Sequence, residues 1–513
     1  MIDRLKDLWL TRPATFFAWL LIAVTLIRVA GLGTSNLNLG PDEAQYWWWS
    51  RSFEFGYFSK PPFIAWMIGA TTAVFGNGEI AIRLSSPIAA AVTGWFIFLA
   101  ARRLYDGRTA LWAGVVWVTL PILHLGASII STDTPLLMFW SIGLYAFARL
   151  IDTKSPLDGA LMGAAIGFGL LSKYAMMYFP LGLAIALVLS PKARGALKAV
   201  PLLVAAVMAG LIFLPNFLWN AANDFQTLEH TQANAGWGGN LFHPDELAEF
   251  LFAQFFVAGP ILFGFLLFGL ATLKRRLTEE HRGTDLLLLG LGLPPIVIII
   301  FQATISGANA NWAMAAYPAL IILVTAWMVR AGRRGLLIGS TAFNAGVGAL
   351  GLLFLANFAI VDALGLSNAI KRVRGWPDQV AEIETYARNY SVVVVDDREL
   401  MGNILYYMRD SGIPVKSLDY NRRVEHHYEA FDSYDPTQYD RALLVAKYPQ
   451  YLYSYVEFDT ILEVGEVSRD MGVACPRRYF LYALLDFNPE MGPEDIPPPP
   501  EDFSREVEGC RPY

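Results

Sequence analysis

The sequence predicts a polytopic α-helical membrane protein with a soluble α/β region at its C-terminal end. Of the 513 residues, 55% are hydrophobic and only 16% charged. Apolar runs long enough to cross a bilayer recur up to about residue 360, and from about 366 the pattern becomes that of a soluble domain. These observations place a transmembrane domain at 1–365 and an α/β domain at 366–513.

A membrane helix needs roughly 20 apolar residues. About eleven runs qualify, with cores at 15–33, 87–104, 109–127, 134–151, 157–171, 175–190, 199–215, 248–273, 284–305, 312–329 and 335–360. The fifth and sixth are short. The first lacks a small-residue cleavage site and reads as a retained span, not a signal peptide. Lys and Arg mark the cytoplasmic side of a membrane protein. They alternate here: Arg4, Lys6 and Arg12, then Arg102, Arg103 and Arg108, Arg149 and Lys154, Lys192, Arg194 and Lys198, Lys274 to Arg276 with Arg282, and Arg330, Arg333 and Arg334 fall in every second loop. The loops between hold only Arg51, Lys60, Arg83 and Lys173. This predicts a cytoplasmic N-terminus and an outside C-terminal region.

After residue 366, β-like runs at Ser391–Val395, Arg441–Val445 and Tyr479–Leu485 alternate with helix-compatible stretches at Gln379–Tyr390 and Glu399–Arg409. Pro497–Pro500 predicts an extended tail. Cys475 and Cys510 are both in this region, where an oxidising compartment would allow pairing. The formal charge of -6 arises largely from acidic residues after Asp362, so it says little about partners.

The first outside loop is too long for a simple connector. It reads Gly40-Pro-Asp-Glu-Ala-Gln-Tyr-Trp-Trp-Trp-Ser50, then Gly56-Tyr-Phe-Ser-Lys-Pro-Pro62. Pro41, Asp42 and Glu43 suit the first turn of a helix, and the aromatics after them suit the headgroup level. Phe63–Phe75 is too short to span and predicts an interfacial helix. Taken alone, Asp42 and Glu43 read as charges favoured by a helix dipole, and Lys60 as a snorkelling anchor. The chemical alternative is a carboxylate that deprotonates an acceptor hydroxyl and an ammonium that holds a lipid phosphate.

Asp42-Glu-Ala-Gln-Tyr-Trp47, Tyr57-Phe-Ser-Lys-Pro-Pro62, Leu171-Ser-Lys-Tyr174, Pro215-Asn-Phe-Leu-Trp-Asn220, and Ala310-Asn-Trp312 with Tyr317-Pro318 occur in an order that resembles the GT-C glycosyltransferases. The likeness is to the bacterial lipid A aminoarabinose transferases and the lipopolysaccharide and lipid A galacturonosyltransferases, and more distantly to protein O-mannosyltransferases. It runs over residues 15 to 330, with an echo in Gly375-Trp376 and Leu405-Tyr-Tyr407. It implies a multi-pass bacterial inner-membrane enzyme that moves a sugar from a polyprenyl-phosphate donor to lipid A or core oligosaccharide, with inversion.

The resemblance implies that Asp42 is the catalytic base and Glu43 its second-tier companion. It makes Lys60 a ligand of the donor phosphate, while Lys173, in a hinge between two short spans, suits phosphate binding and interfacial snorkelling equally. Asp133, which also suits a helix cap before Pro135, joins Tyr57, Asn220, His230, Asn311, Trp312 and Tyr317 as substrate-binding candidates. The loop carrying Asn216, Trp219, Asn220, Glu229, His230 and Gly236-Trp-Gly-Gly239 is expected to close over substrate, although such aromatics and amides also populate ordinary membrane interfaces.

The six histidines show no metal-ligand spacing, and His426-His427 reads as surface chemistry. No cofactor, nucleic-acid partner or second subunit is expected, and a metal requirement stays open. A transporter or flippase is the rival class, but such proteins usually show midplane charges, broken helices or repeat symmetry, whereas here the polar groups gather at one face and no internal repeat is evident. A protein O-glycosyltransferase would share the same donor machinery.

Overall fold

The computed structural model describes residues 11–233, 235–237, 241–419, 424–447, 458–473 and 475–488. Arg4, Lys6, Gly238, Gly239, Cys510 and Pro497–Pro500 lie outside the described residues. The chain divides into two compact units. One comprises Met1–Thr34 with Glu54–Leu353, the other Ser35–Phe53 with Phe354–Tyr513. Residues 35–53, which a division at 365/366 counts with the membrane part, therefore pack with the C-terminal residues.

The first unit is helical. Seven helices among the described residues are long and apolar enough to cross a membrane: α1 (Pro13–Thr34), Glu79–Leu104, Asp133–Thr153, Ala199–Ala222, Arg282–Ser306, Ala310–Arg330 and Arg334–Ala356. Ala310–Arg330 is 89% buried and central, whereas Ala199–Ala222 is 11% buried. The latter turns Leu203, Val207, Leu211 and Leu214 outward, as a lipid-facing helix must.

Every one of the eleven apolar runs is helical, but five are not single straight spans, the run at 335–360 breaking at the extended Asn357. The run at 109–127 breaks at Thr119 and Leu120 because Pro121 holds the preceding residue out of the α region. The buried Arg28 Nη2 donates to the Val118 carbonyl at that break, 2.8 Å away, satisfying a group that lipid cannot. The run at 248–273 bends by 116° where Gly259, at φ 87°, meets Pro260. The runs at 157–171 and 175–190 form the shorter helices Pro156–Ser172 and Tyr174–Leu189, separated by an extended Lys173. Phe63–Phe75 forms the 13-residue helix expected of it.

Below, α2 denotes Pro41–Trp49, α3 Asp133–Thr153, α4 Pro156–Ser172, α5 Ala199–Ala222 and α6 Gln226–Ala233. α4 packs on α5 through Gly159, Gly163 and Gly167. A Cβ at Gly159 would come within 2.3 Å of the Pro201 carbonyl oxygen, and one at Gly163 within 2.2 Å of that of Ala205. Glycine at every fourth position lets the two backbones touch.

In the second unit, a five-stranded sheet has the order β2-β1-β3-β5-β4. The strands are β1 (Val392–Val395), β2 (Val415–Ser417), β3 (Arg441–Ala446), β4 (Phe458–Arg469) and β5 (Arg477–Phe487). β1 runs parallel to both β2 and β3, and β3, β5 and β4 are antiparallel in turn. All four β1 valines are buried, as expected of a strand covered on both faces. Val393 and Val395 meet Ile383 of α7 (Trp376–Ala387) and Leu400 of α8 (Arg398–Tyr407), while Val392 and Val394 pack with Leu418 and Phe480. His426 and His427 are not surface residues: His427 is 8% exposed, with its ring against Trp49 and Phe431.

Candidate active site

In the first unit, Asp133 opens α3 and is 8% exposed. Its Oδ1 accepts from Lys173 Nζ at 2.7 Å and its Oδ2 from Asn311 Nδ2 at 2.7 Å. The break at Lys173 turns that ammonium to Asp133, and the 3₁₀ turn Ala310–Ala316 presents Asn311. The fold thus brings together three residues that lie far apart in the sequence. The partly buried ion pair is held by a shared amide.

The next residue, Tyr174, begins a second knot. Its hydroxyl donates to Asn216 Oδ1 at 3.0 Å and accepts from Asn220 Nδ2 at 3.1 Å. Asn216 Nδ2 in turn donates to the Phe55 carbonyl at 2.6 Å, and Thr227 Oγ1 on α6 donates to the Tyr57 carbonyl at 2.9 Å. The Trp219 ring fills the space where Gly56 would carry a side chain, so only glycine fits there. Tyr57 N donates to the Lys60 carbonyl at 3.2 Å, and the His230 ring lies 5.8 Å from that of Phe58. The segment bearing Lys60 is therefore pinned at its backbone by α5 and α6, which leaves the half-buried lysine side chain on a fixed turn.

Tyr317 and Trp312 fall elsewhere in that unit. Tyr317 is 1% exposed and donates to Gln254 Oε1 at 2.7 Å, and Trp312 packs at the edge of the helical core.

In the second unit, Asp42 and Glu43 occupy the first turn of α2. Glu43 is 4% exposed, and its Oε2 accepts from the Gly40 amide at 3.0 Å, the reach-back half of a capping box, since Gly40 has no side chain to complete it. Asp42 points out, with its side chain 63% exposed, and its Oδ1 accepts from Arg398 Nη1 at 3.1 Å. Burial, then the charge of Arg398, pushes His426 down to about 4, and burial pushes His427 down to about 3. Both rings are therefore neutral at pH 7, and Arg398 is the cation beside Asp42.

Sequence reasoning passed over Arg398, Gln45 and Gln254. For Arg398 a signal existed: it follows a buried β-run and opens a helix, the position at which α/β folds display functional groups. Among the described residues, no three His, Cys, Asp or Glu side chains converge as a metal site.

Residues 59–219 match the family model described as dolichyl-phosphate-mannose-protein mannosyltransferase. The chain is 33% identical over 403 residues to lipid A galacturonosyltransferase RgtD of Rhizobium johnstonii, covering 77% of this chain and 83% of the relative. It is 29% identical over 165 residues to undecaprenyl phosphate-alpha-4-amino-4-deoxy-L-arabinose arabinosyl transferase 1 of Pseudomonas fluorescens, covering 31% of this chain and 29% of the relative. Among solved structures, apo ArnT from Cupriavidus metallidurans superposes with a TM-score of 0.63 at 17% identity, over 92% of this chain and 98% of that one. The helical bundle with its C-terminal α/β unit is thus the GT-C fold, and the chain belongs to the membrane glycosyltransferase family that includes lipid A galacturonosyltransferase.

Proposed function

We propose that this chain transfers one sugar, galacturonic acid, from a polyprenyl-phosphate carrier to lipid A or lipopolysaccharide core on the outer side of the bacterial inner membrane. The observation that carries this reading is the 33% identity to a lipid A galacturonosyltransferase over most of both chains. The undecaprenyl phosphate in the names of the aminoarabinose transferase and of a second ArnT structure supports the donor class. The basic loops favour a cytoplasmic N-terminus, with the long loop after α1 and the C-terminal unit outside.

In this reading an acceptor oxygen attacks the anomeric carbon as its proton passes to Asp42. The bond from that carbon to the phosphate oxygen breaks, and polyprenyl phosphate leaves with inversion at the sugar. The exposed Asp42 carboxylate suits a base that must meet a large acceptor. Lys60, on its pinned turn, stabilises charge on the leaving phosphate. Lys173, oriented by Asp133 and Asn311, adds positive charge toward the same phosphate, and Tyr57, Asn220 and His230 lie around the turn that carries Lys60. Glu43 holds the helix start that displays Asp42.

Mass spectrometry of lipid A and core from cells with and without the chain tests the reading. A hexuronic acid mass lost from lipid A or core supports it, and unchanged lipids with an altered glycoprotein would point to protein O-glycosylation. In the complemented cells, Asp42→Asn is expected to lower transfer about 10²- to 10⁴-fold while the protein still inserts. Near wild-type transfer would remove Asp42 as the base.

A further inference from the structure

The mixed sheet of the second unit has a topological switch point. From β1 the chain goes to β2 on one side and then to β3 on the other, which makes the carboxyl ends of β1 and β3 the switch point of the sheet. Asp396 accepts from the Lys447 amide at 2.8 Å and ties the two strand ends together. Asp397 caps α8 through the amides of Glu399 and Leu400, at 3.1 and 2.9 Å, and pairs with Lys447 Nζ at 3.0 Å. Both side chains of that pair are nearly buried, at 13% and 10% exposed. Arg398 comes next, on a backbone fixed by two anchored aspartates.

Its guanidinium faces α2. Nη1 donates to Asp42 Oδ1 at 3.1 Å and to Gln45 Oε1 at 2.5 Å, two residues one turn apart on the same helix face. α2 is seated on α8 by further contacts. Leu39 N donates to Tyr407 Oη at 2.8 Å, Trp47 meets Tyr406 edge to face at 5.0 Å, and Gly402 lets Pro41 and Ala44 approach. A nine-residue helix does not persist alone in water, so its conformation depends on this seat.

We propose that Arg398 is a positioning residue for Asp42, and that the C-terminal α/β unit acts in the transfer reaction by holding the base-bearing helix and fixing its carboxylate. Without the guanidinium, a side chain 63% exposed turns among its rotamers and loses the orientation that proton transfer requires. This inference rests on the reading of Asp42 as the base. It assigns Arg398 to the turnover step and not to substrate affinity.

The test is steady-state kinetics of the purified full chain in nanodiscs, with undecaprenyl-phosphate galacturonate as donor and lipid A as acceptor. Arg398→Gln is expected to lower kcat about 10- to 100-fold with both KM values unchanged. Arg398→Lys, which keeps the charge but not the fork, is expected to recover part of the loss and to remain at least about 3-fold below wild type. Wild-type kcat in Arg398→Gln, or a raised acceptor KM with unchanged kcat, overturns the proposal, the latter by making Arg398 a substrate ligand. If Arg398→Gln does not fold, Arg398→Lys and Gln45→Ala carry the test, and unchanged kcat in both overturns it. Asp42→Asn, measured alongside, separates the two readings. Activity in that variant removes the base itself, whereas an inactive Asp42→Asn beside a fully active Arg398→Gln removes only the positioning role.

Discussion

Asp133 shows how the fold settles a question that residue type leaves open. Its side chain is 12% exposed, that of Lys173 is 23% exposed, and Asn311 takes the second carboxylate oxygen. Removing the charge from one partner leaves the other poorly solvated. Asp133→Asn is therefore expected to cost about 1 to 3 kcal/mol, read as a lower melting temperature in detergent, and Asp133→Asn with Lys173→Met is expected to recover part of it. A single variant that melts like wild type would show that the pair contributes nothing to stability. The sequence supplied Asp133, Lys173 and Asn311 as separate candidates, and no local pattern could pair them. It also supplied Asp42 and Glu43 as neighbours in one helical turn, where Glu43 proves to be the internal cap. Arg398 escaped notice because its partner is 356 residues away in the chain.

At the scale of elements, hydropathy located every apolar helix but not every break. A sum over a window registers composition, and it is insensitive to the change of direction imposed by Gly259-Pro260 or by Pro121. The short β2 strand and the half-exposed β4 strand were likewise missed, since neither offers a sustained apolar run. β1, β3 and β5 were legible because burial demands continuous hydrophobicity there. The glycine spacing of α4 carries its own prediction. Gly163→Val would drive two γ-carbons into the Ala205 backbone, so α4 and α5 must separate. The expected outcome is a melting temperature lowered by several degrees, roughly 2 to 4 kcal/mol of stability, with Gly210→Val as the control because open space surrounds it. Equal melting of the two variants would deny the close approach.

At the scale of the whole molecule, the second unit is assembled from two stretches of chain, 35–53 and 354–513. A fragment beginning at residue 354 lacks α2 and uncovers Tyr406 and the Gly402 surface. It is expected to unfold in less urea than a fusion of 35–53 to 354–513 through a flexible linker, both followed by far-ultraviolet circular dichroism. Identical midpoints would mean that α2 adds no stability to the unit.

The same discontinuity governs the order of events during biosynthesis. The helix bearing Asp42 leaves the ribosome long before the arginine that meets it, and at about 5 to 20 residues per second a separation of 356 residues is a wait of about 20 to 70 seconds. Throughout that interval Trp47 lacks Tyr406, Trp48 lacks Asp432 and Trp49 lacks His427, so the nascent chain presents an aromatic segment to whatever chaperone or lipid surface is at hand. Completion of the second unit is thereby tied to completion of translation, and a chain truncated before residue 398 carries Asp42 on a helix with no α8 to seat it.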